Sequence, residues 1–154
     1  MPELYVTKAH PNPAGKDKPP IGPIPNDKLN EEWLEFRNAL RDDLELQGVS
    51  LLHYTFDADC KKTGEEGVIS FSGGKLKSGQ SIKVHSGKGS TEFVGEVYHF
   101  SLNRERYIWN NKCGDYAVLR RAEKLIDWAM YDPNPPENTV LRRREGTNKL
   151  VPQG

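Results

Sequence analysis

The chain has 154 residues, with 22 basic and 22 acidic side chains, four histidines and two cysteines. That length supports one domain with short arms, and the neutral total argues against a dedicated nucleic-acid binder, which is usually strongly basic. No stretch approaches the ~20 consecutive apolar residues that a membrane-spanning helix needs, and residues 1–15 lack the charged head and apolar run of a secretory leader, so a cytoplasmic setting without membrane insertion is expected.

Residues 3–9 predict a short strand with Leu4 and Val6 on one face. Six of the eleven prolines then fall within residues 11–25, which predicts an extended surface loop because proline has no amide to donate. Residues 30–38, NEEWLEFRN, predict a strand with Leu34 and Phe36 on one face and Trp33 and Glu35 on the other; a helix is the competing reading. Leu44 and Leu46 alternate, Gly48 interrupts, and Val49 and Leu51 resume, the pattern of a corner between strands. Residues 57–67 are polar and turn-rich. VISFSG follows as a strand, then a turn anchored by Leu76, then a strand with Ile82 and Val84 inward. Residues 96–104 alternate Val97 with His99 and Tyr98 with Phe100. Residues 107–121 predict a strand, a turn at Asn110–Gly114 and a second strand, and LIDWAMYD predicts one more. Pro133, Pro135 and Pro136 stop the pattern. Residues 134–154 show no periodicity and are expected to be a mobile tail. Short strands between Gly/Asn/Asp/Ser turns point to an all-β sandwich or barrel over residues 1–133, with an irregular loop at 10–30.

The charge is uneven. Residues 31–66 carry ten acids and four bases. Residues 67–89 carry Lys75, Lys77, Lys83 and Lys88 and no acid, and the tail carries Arg142, Arg143 and Arg144. These seven are the residues that would contact an anionic surface or nucleic acid; the plainer reading is a solvated strand face and tail. Cys60 and Cys113 are too few for a disulfide scaffold. They form one bridge or stand as two thiols, and the absence of a leader favours two thiols. Cys113 with His85 or His99 as base and Asp115 as orienter has the residue types of a thiol nucleophile, but no flanking signature supports it. Asp57, Asp59, Glu65 and Glu66 lack the spacing of a known calcium loop and read as a solvated acidic loop. No cofactor or metal site is expected.

The ordered set Glu32–Asn38, Leu46–Leu51, Leu76–Gly87 and Trp109–Leu119, preceded by HPNPAGKD, resembles the lamin-tail domain family in its free-standing bacterial form. The most specific part is Trp109, Asn110 and Asn111 followed by Gly114 and Asp115. Residues 57–67 stand out as an insertion, Val49 replaces a tryptophan, and the turn at Ala122–Lys124 lacks a glycine. The resemblance implies an immunoglobulin-like β-sandwich without a catalytic centre, acting in protein–protein interaction or tethering. Weak DNA or anionic-surface binding is the alternative. Independently, Asn110 and Asn111 suit left-handed backbone and Asp115 suits acceptance of backbone N–H bonds across the same turn, so the motif reads as structural, with Trp109 plugging one end of the core.

Overall fold

Side chains that alternate between apolar and polar draw most of the chain into extended strands. In the computed structural model, which describes residues 2–16, 22–89 and 91–152, the elements are β1 (Leu4–His10), a short helix α1 (Asn26–Asn30), β2 (Trp33–Asn38), β3 (Leu44–Glu45), β4 (Val49–Phe56), β5 (Lys62–Ser70), β6 (Lys75–Leu76), β7 (Ser81–His85), β8 (Glu92–Val94), β9 (Val97–Ser101), β10 (Asp115–Arg121), β11 (Lys124–Tyr131), β12 (Leu141–Arg143) and β13 (Leu150–Pro152). A seven-stranded sheet runs β13-β12-β1-β2-β7-β9-β8, a four-stranded sheet runs β11-β10-β4-β5, and β3 pairs with β6. The pairings are antiparallel except that of β7 with β9. One core joins the two large sheets. Leu4, Val6, Leu34, Phe36, Ile82 and Val84 meet Val49, Leu51, Ala117, Leu119, Ala129 and Tyr131, with Leu44, Leu46 and Leu76 at one end. The chain is therefore an all-β sandwich. No helix among the described residues is long and apolar enough to cross a membrane.

Leu34 and Phe36 are buried in the core, while on the opposite face of the same strand Trp33 is half-exposed and Glu35 is buried between Lys8 and Lys83. Leu76 and the pair Ile82/Val84 are likewise inward. Gly48 turns the corner with φ +83°, a conformation that favours glycine, and Val49 N donates to Leu46 O across it. In the β10–β11 turn Ala122 takes φ +53°, doing without the glycine that the turn would prefer.

Four expectations need correction. The tail is not free: β12 and β13 form a hairpin that adds to β1 through Lys8↔Arg142 and Ala9↔Leu141. Its inward residues Leu141 and Leu150 are buried. Two inward residues nine positions apart are too sparse to reveal a period, which is why the sequence reads as tail. Second, the polar stretch 57–67 is not turn throughout. Asp57 caps a tight turn through Asp59 N and Lys61 N, and β5 starts at Lys62. Third, no strand precedes the Asn110 turn; residues 107–109 take no ladder. Fourth, Cys60 and Cys113 are joined in a disulfide. The bridge closes a loop of 53 residues, for which loop-closure entropy gives about 4 kcal/mol.

Residues 17–21 of the proline-rich run lie outside the described residues. Its described part is anchored: Asn12 Nδ2 donates to Pro135 O at 2.8 Å and Asn138 N to Asn12 O at 2.6 Å.

If β12–β13 is part of the sandwich, Leu150→Ala costs about 2–4 kcal/mol, the usual penalty for emptying a buried leucine site, read as a lower urea midpoint with an unchanged slope. A mobile tail would leave the midpoint where it was.

Candidate functional site

Residues 107–114 leave the ladder yet bury Trp109, so their amides need other acceptors. Buried carboxylates supply them. Glu32, at the entrance of β2, is fully buried. Its Oε1 accepts from Ile108 N at 2.7 Å and Ser86 Oγ at 2.6 Å, and its Oε2 from Trp109 N at 3.3 Å and Lys16 Nζ at 2.6 Å. The Lys16 ammonium also donates to Pro11 O, Trp109 O and Asn111 Oδ1. A single buried ion pair thus pins the proline-rich arm, the strand entrance and the Trp109 loop together.

Asp115, buried at the start of β10, performs the same service on the other side of the loop. Its Oδ2 accepts from Asn110 N at 3.1 Å, and its Oδ1 from Tyr54 N at 3.1 Å and Tyr116 N at 2.8 Å. Asn110 Oδ1 accepts from Cys113 N, and Tyr131 donates its hydroxyl to Asn110 O at 2.9 Å. Gly114, at φ +72°, passes so close to Tyr131 O that a Cβ would lie 2.3 Å from it. Trp109 is buried, with its ring edge-on to His53 at 5.6 Å. All five residues of the Trp-Asn-Asn-x-x-Gly-Asp motif therefore act in closing this end of the core.

His53 donates Nδ1–H to Asp115 Oδ2 at 2.9 Å, and its Nε2 lies 3.2 Å from Glu66 Oε1. Burial pulls the imidazole pKa down, but the hydrogen bonds and charges of Asp115 and then Glu66 outweigh it, so the net shift is upward from 6.5. Two carboxylates on one ring are best served by an imidazolium. Cys113 has no free thiol, and His85 and His99 lie on the seven-stranded sheet, stacked on each other with His85 Nε2 2.8 Å from His99 Nδ1. The nucleophile reading is thereby overturned. Glu65 is held by Arg120 at 2.7 Å and Glu66 by His53, so the four acids of the 57–67 region do not converge.

The seven basic residues do not form one patch. By register, Arg142, Lys8, Glu35, Lys83 and His99 follow one another across the outer face of the seven-stranded sheet. Only Lys83 and Arg142 of the seven are in that row, with the buried Glu35 between them. Lys83 also lies over the Trp33 ring at 4.0 Å. Arg143 points inward, pairs with Asp127 at 3.2 Å and stacks on Tyr5. Lys75 pairs with Glu45 and Lys88 with Glu105. Lys77 and Arg144 are exposed, with no ion pair among the described residues.

The feature that sequence reasoning missed is the outer face of the four-stranded sheet. Tyr54 of β4 stacks on Tyr116 of β10 at 4.4 Å and 17°, and Tyr116 on Trp128 of β11 at 5.9 Å and 28°. Phe56 flanks Tyr54 at 6.2 Å, and Lys62 caps the Tyr54 ring at 3.8 Å. Trp128 is 37% exposed, and Tyr54, Phe56, Tyr116 and Met130 are half-buried. The charged chain Lys62–Glu65–Arg120 borders this surface. A signal was present. LLHYTF and WAMY are apolar at both parities, the mark of a strand whose two faces are both apolar. No family model matches the chain, and no curated protein matches it in sequence.

Two outcomes follow from the buried charges. Glu32→Ala strands Lys16 and two amides and costs about 3–5 kcal/mol in urea denaturation, and adding Lys16→Met recovers part of the loss. The histidines act in opposite directions on pH. The raised pKa of His53 contributes stability below pH 6.5 that is lost as pH rises through the folded value. At His85, burial lowers the pKa; the bond to Asn30 O opposes this, while the charges of His99 and Lys83 add to it, for a net lowering. That group contributes stability above 6.5 that is lost as pH falls through its folded value. Thermal melts from pH 5 to 8 should show His53→Gln flattening the alkaline decline and His85→Gln the acid one; an unchanged profile in both refutes the assignment.

Proposed function

We propose that this chain is a non-catalytic attachment module of the lamin-tail type, with an immunoglobulin-like sandwich as its body and a protein as its partner. The observation that carries the reading is the aromatic outer face of the four-stranded sheet. A solvated sheet face is ordinarily polar. Here it presents Tyr54, Phe56, Tyr116, Trp128 and Met130 with Arg120 at the border. Tyr, Trp, Met and Arg are the residue types enriched at the centres of protein interfaces, and a contiguous apolar patch on a monomer marks a contact site. The motif residues 109–115 support the family assignment in a structural role: they hold the loop beside β10 and so fix Tyr116.

The nucleic-acid alternative loses ground on the placement of its residues, since Arg143 is committed to the buried Asp127 and only Lys83 and Arg142 share one row of the sheet. The Cys60–Cys113 bridge favours an oxidising compartment over the cytoplasm that the sequence alone suggests.

Photocrosslinking tests the reading. A benzophenone side chain at position 128 should give a defined adduct with one protein of the native host. The same group at position 123 should give none, and Tyr116→Ser should abolish the adduct while leaving the melting temperature within a few degrees. Equal labelling from both positions would refute it.

A further inference from the structure

We infer that the open edge of β8 is a docking strand for an extended, cationic segment of a partner protein. This surface is separate from the aromatic face and does not depend on it. β8 ends the seven-stranded sheet and, among the described residues, pairs with β9 alone. Its three residues are exposed, Phe93 by 47% and Val94 by 59%. Natural sheets blunt such edges with lysine, proline, bulges or a covering element. The opposite case is in the same molecule: β5, an edge of the four-stranded sheet, carries Lys62, Glu65 and Glu66 and two register shifts. β8 carries no lysine or proline, and its pairing with β9 is regular.

Backbone and side chains both suit an added strand. Gly95 and Glu96 form the two-residue turn between Val94 and its partner Val97. The alternation of an antiparallel pair then turns the N–H and C=O of Phe93 away from β9, toward an incoming chain. The Phe93 ring lies against Tyr98 at 4.7 Å. Together with Leu46, Phe71 and Phe100 they line a groove of about 240 Å³, room for a large apolar side chain. The groove lies between β8–β9 and the Gly73–Lys75 corner that leads into β6.

Charge selects the occupant. Glu92 and Glu96 flank the exposed Phe93–Val94 pair, both are exposed, and neither has an ion-pair partner among the described residues. Lys75, which also lines the groove, lies 3.8 Å from the Glu45 carboxylate, which offsets its charge there. An extended segment with lysine or arginine on either side of an aromatic or aliphatic residue matches this surface in backbone, shape and charge.

The probe is a displayed library of random twelve-residue peptides selected on the whole protein. Enriched peptides should carry Lys or Arg around an apolar residue. Glu92→Lys/Glu96→Lys should weaken a synthetic copy about tenfold or more, as loss of two flanking ion pairs predicts. Phe93→Pro should weaken it too, and the charge variant keeps the test valid if that edge misfolds. Trp128→Ser should bind as the parent does. The inference falls if nothing enriches, if acidic peptides enrich, if charge reversal leaves affinity unchanged, or if Trp128→Ser loses binding as much as the edge variants do. It also falls if sedimentation shows that β8 pairs with a second copy of the chain.

Discussion

An irregular segment can be buried only if something accepts its amide protons, and in this molecule buried carboxylates do so. Glu32 serves Ile108 and Trp109, Asp115 serves Tyr54, Asn110 and Tyr116, and Asp127 serves Val6 at 2.8 Å. Each has a cationic or ionisable counterpart: Lys16, His53 and Arg143. A buried charge pair is weak evidence for stability on its own, because desolvation consumes most of the Coulomb gain. Its value here is in specifying geometry. Glu32 and Asp115 sit where a strand begins beside the 107–114 loop, Asp127 links β11 to β1 and β12 of the other sheet, and a neutral side chain of the same size could not hold so many donors at once.

The same carboxylates explain why part of the sequence was readable and part was not. Alternation is a local signal, so Leu4/Val6, Leu34/Phe36 and Ile82/Val84 announced their inward faces. The acceptor role of Asp115 is equally legible, because Asp acts on amides a few positions away, but the left-handed backbone expected of Asn110 and Asn111 is not taken: within residues 110–114 it falls to Gly114 alone. Long-range acceptance is not local. Nothing in NEEWLEF distinguishes Glu32, which is buried, from Glu31, which pairs with Lys28 at the surface. Nothing near Lys16 announces a partner 93 residues on at Trp109. Residues 107–109 looked like a strand because Ile108 and Trp109 are apolar; they are not one because Glu32 takes their amides.

The disulfide and the last hairpin are hidden from the sequence for a related reason. Cys60 and Cys113 come together because Asp57 tightens one turn while Asn110 and Gly114 shape the other. Each turn was visible, but their adjacency follows only once β4 and β10 pair. For β12 and β13, the decisive residue is Arg143. It carries the sequence signature of a basic tail, Arg-Arg-Arg, yet its guanidinium lies on Asp127 and the Tyr5 ring. The flanking Arg142 and Arg144 remain in solvent, so one position in a charge run is structural while its neighbours are not.

Two sheets of unequal width cannot cover each other completely. On β9, Tyr98 and Phe100 remain half-exposed although Phe100 packs on Phe71, and Phe93 carries the same aromatic surface to the sheet edge. A sandwich with no use for the surface would shorten the wide sheet or charge its border. The molecule does charge the border at β5, where Glu65 and Arg120 pair at 2.7 Å beside the aromatic ladder. The two edges therefore differ in kind: β5 carries charge and register shifts, whereas β8 presents Phe93 and Val94 to solvent with a regular register.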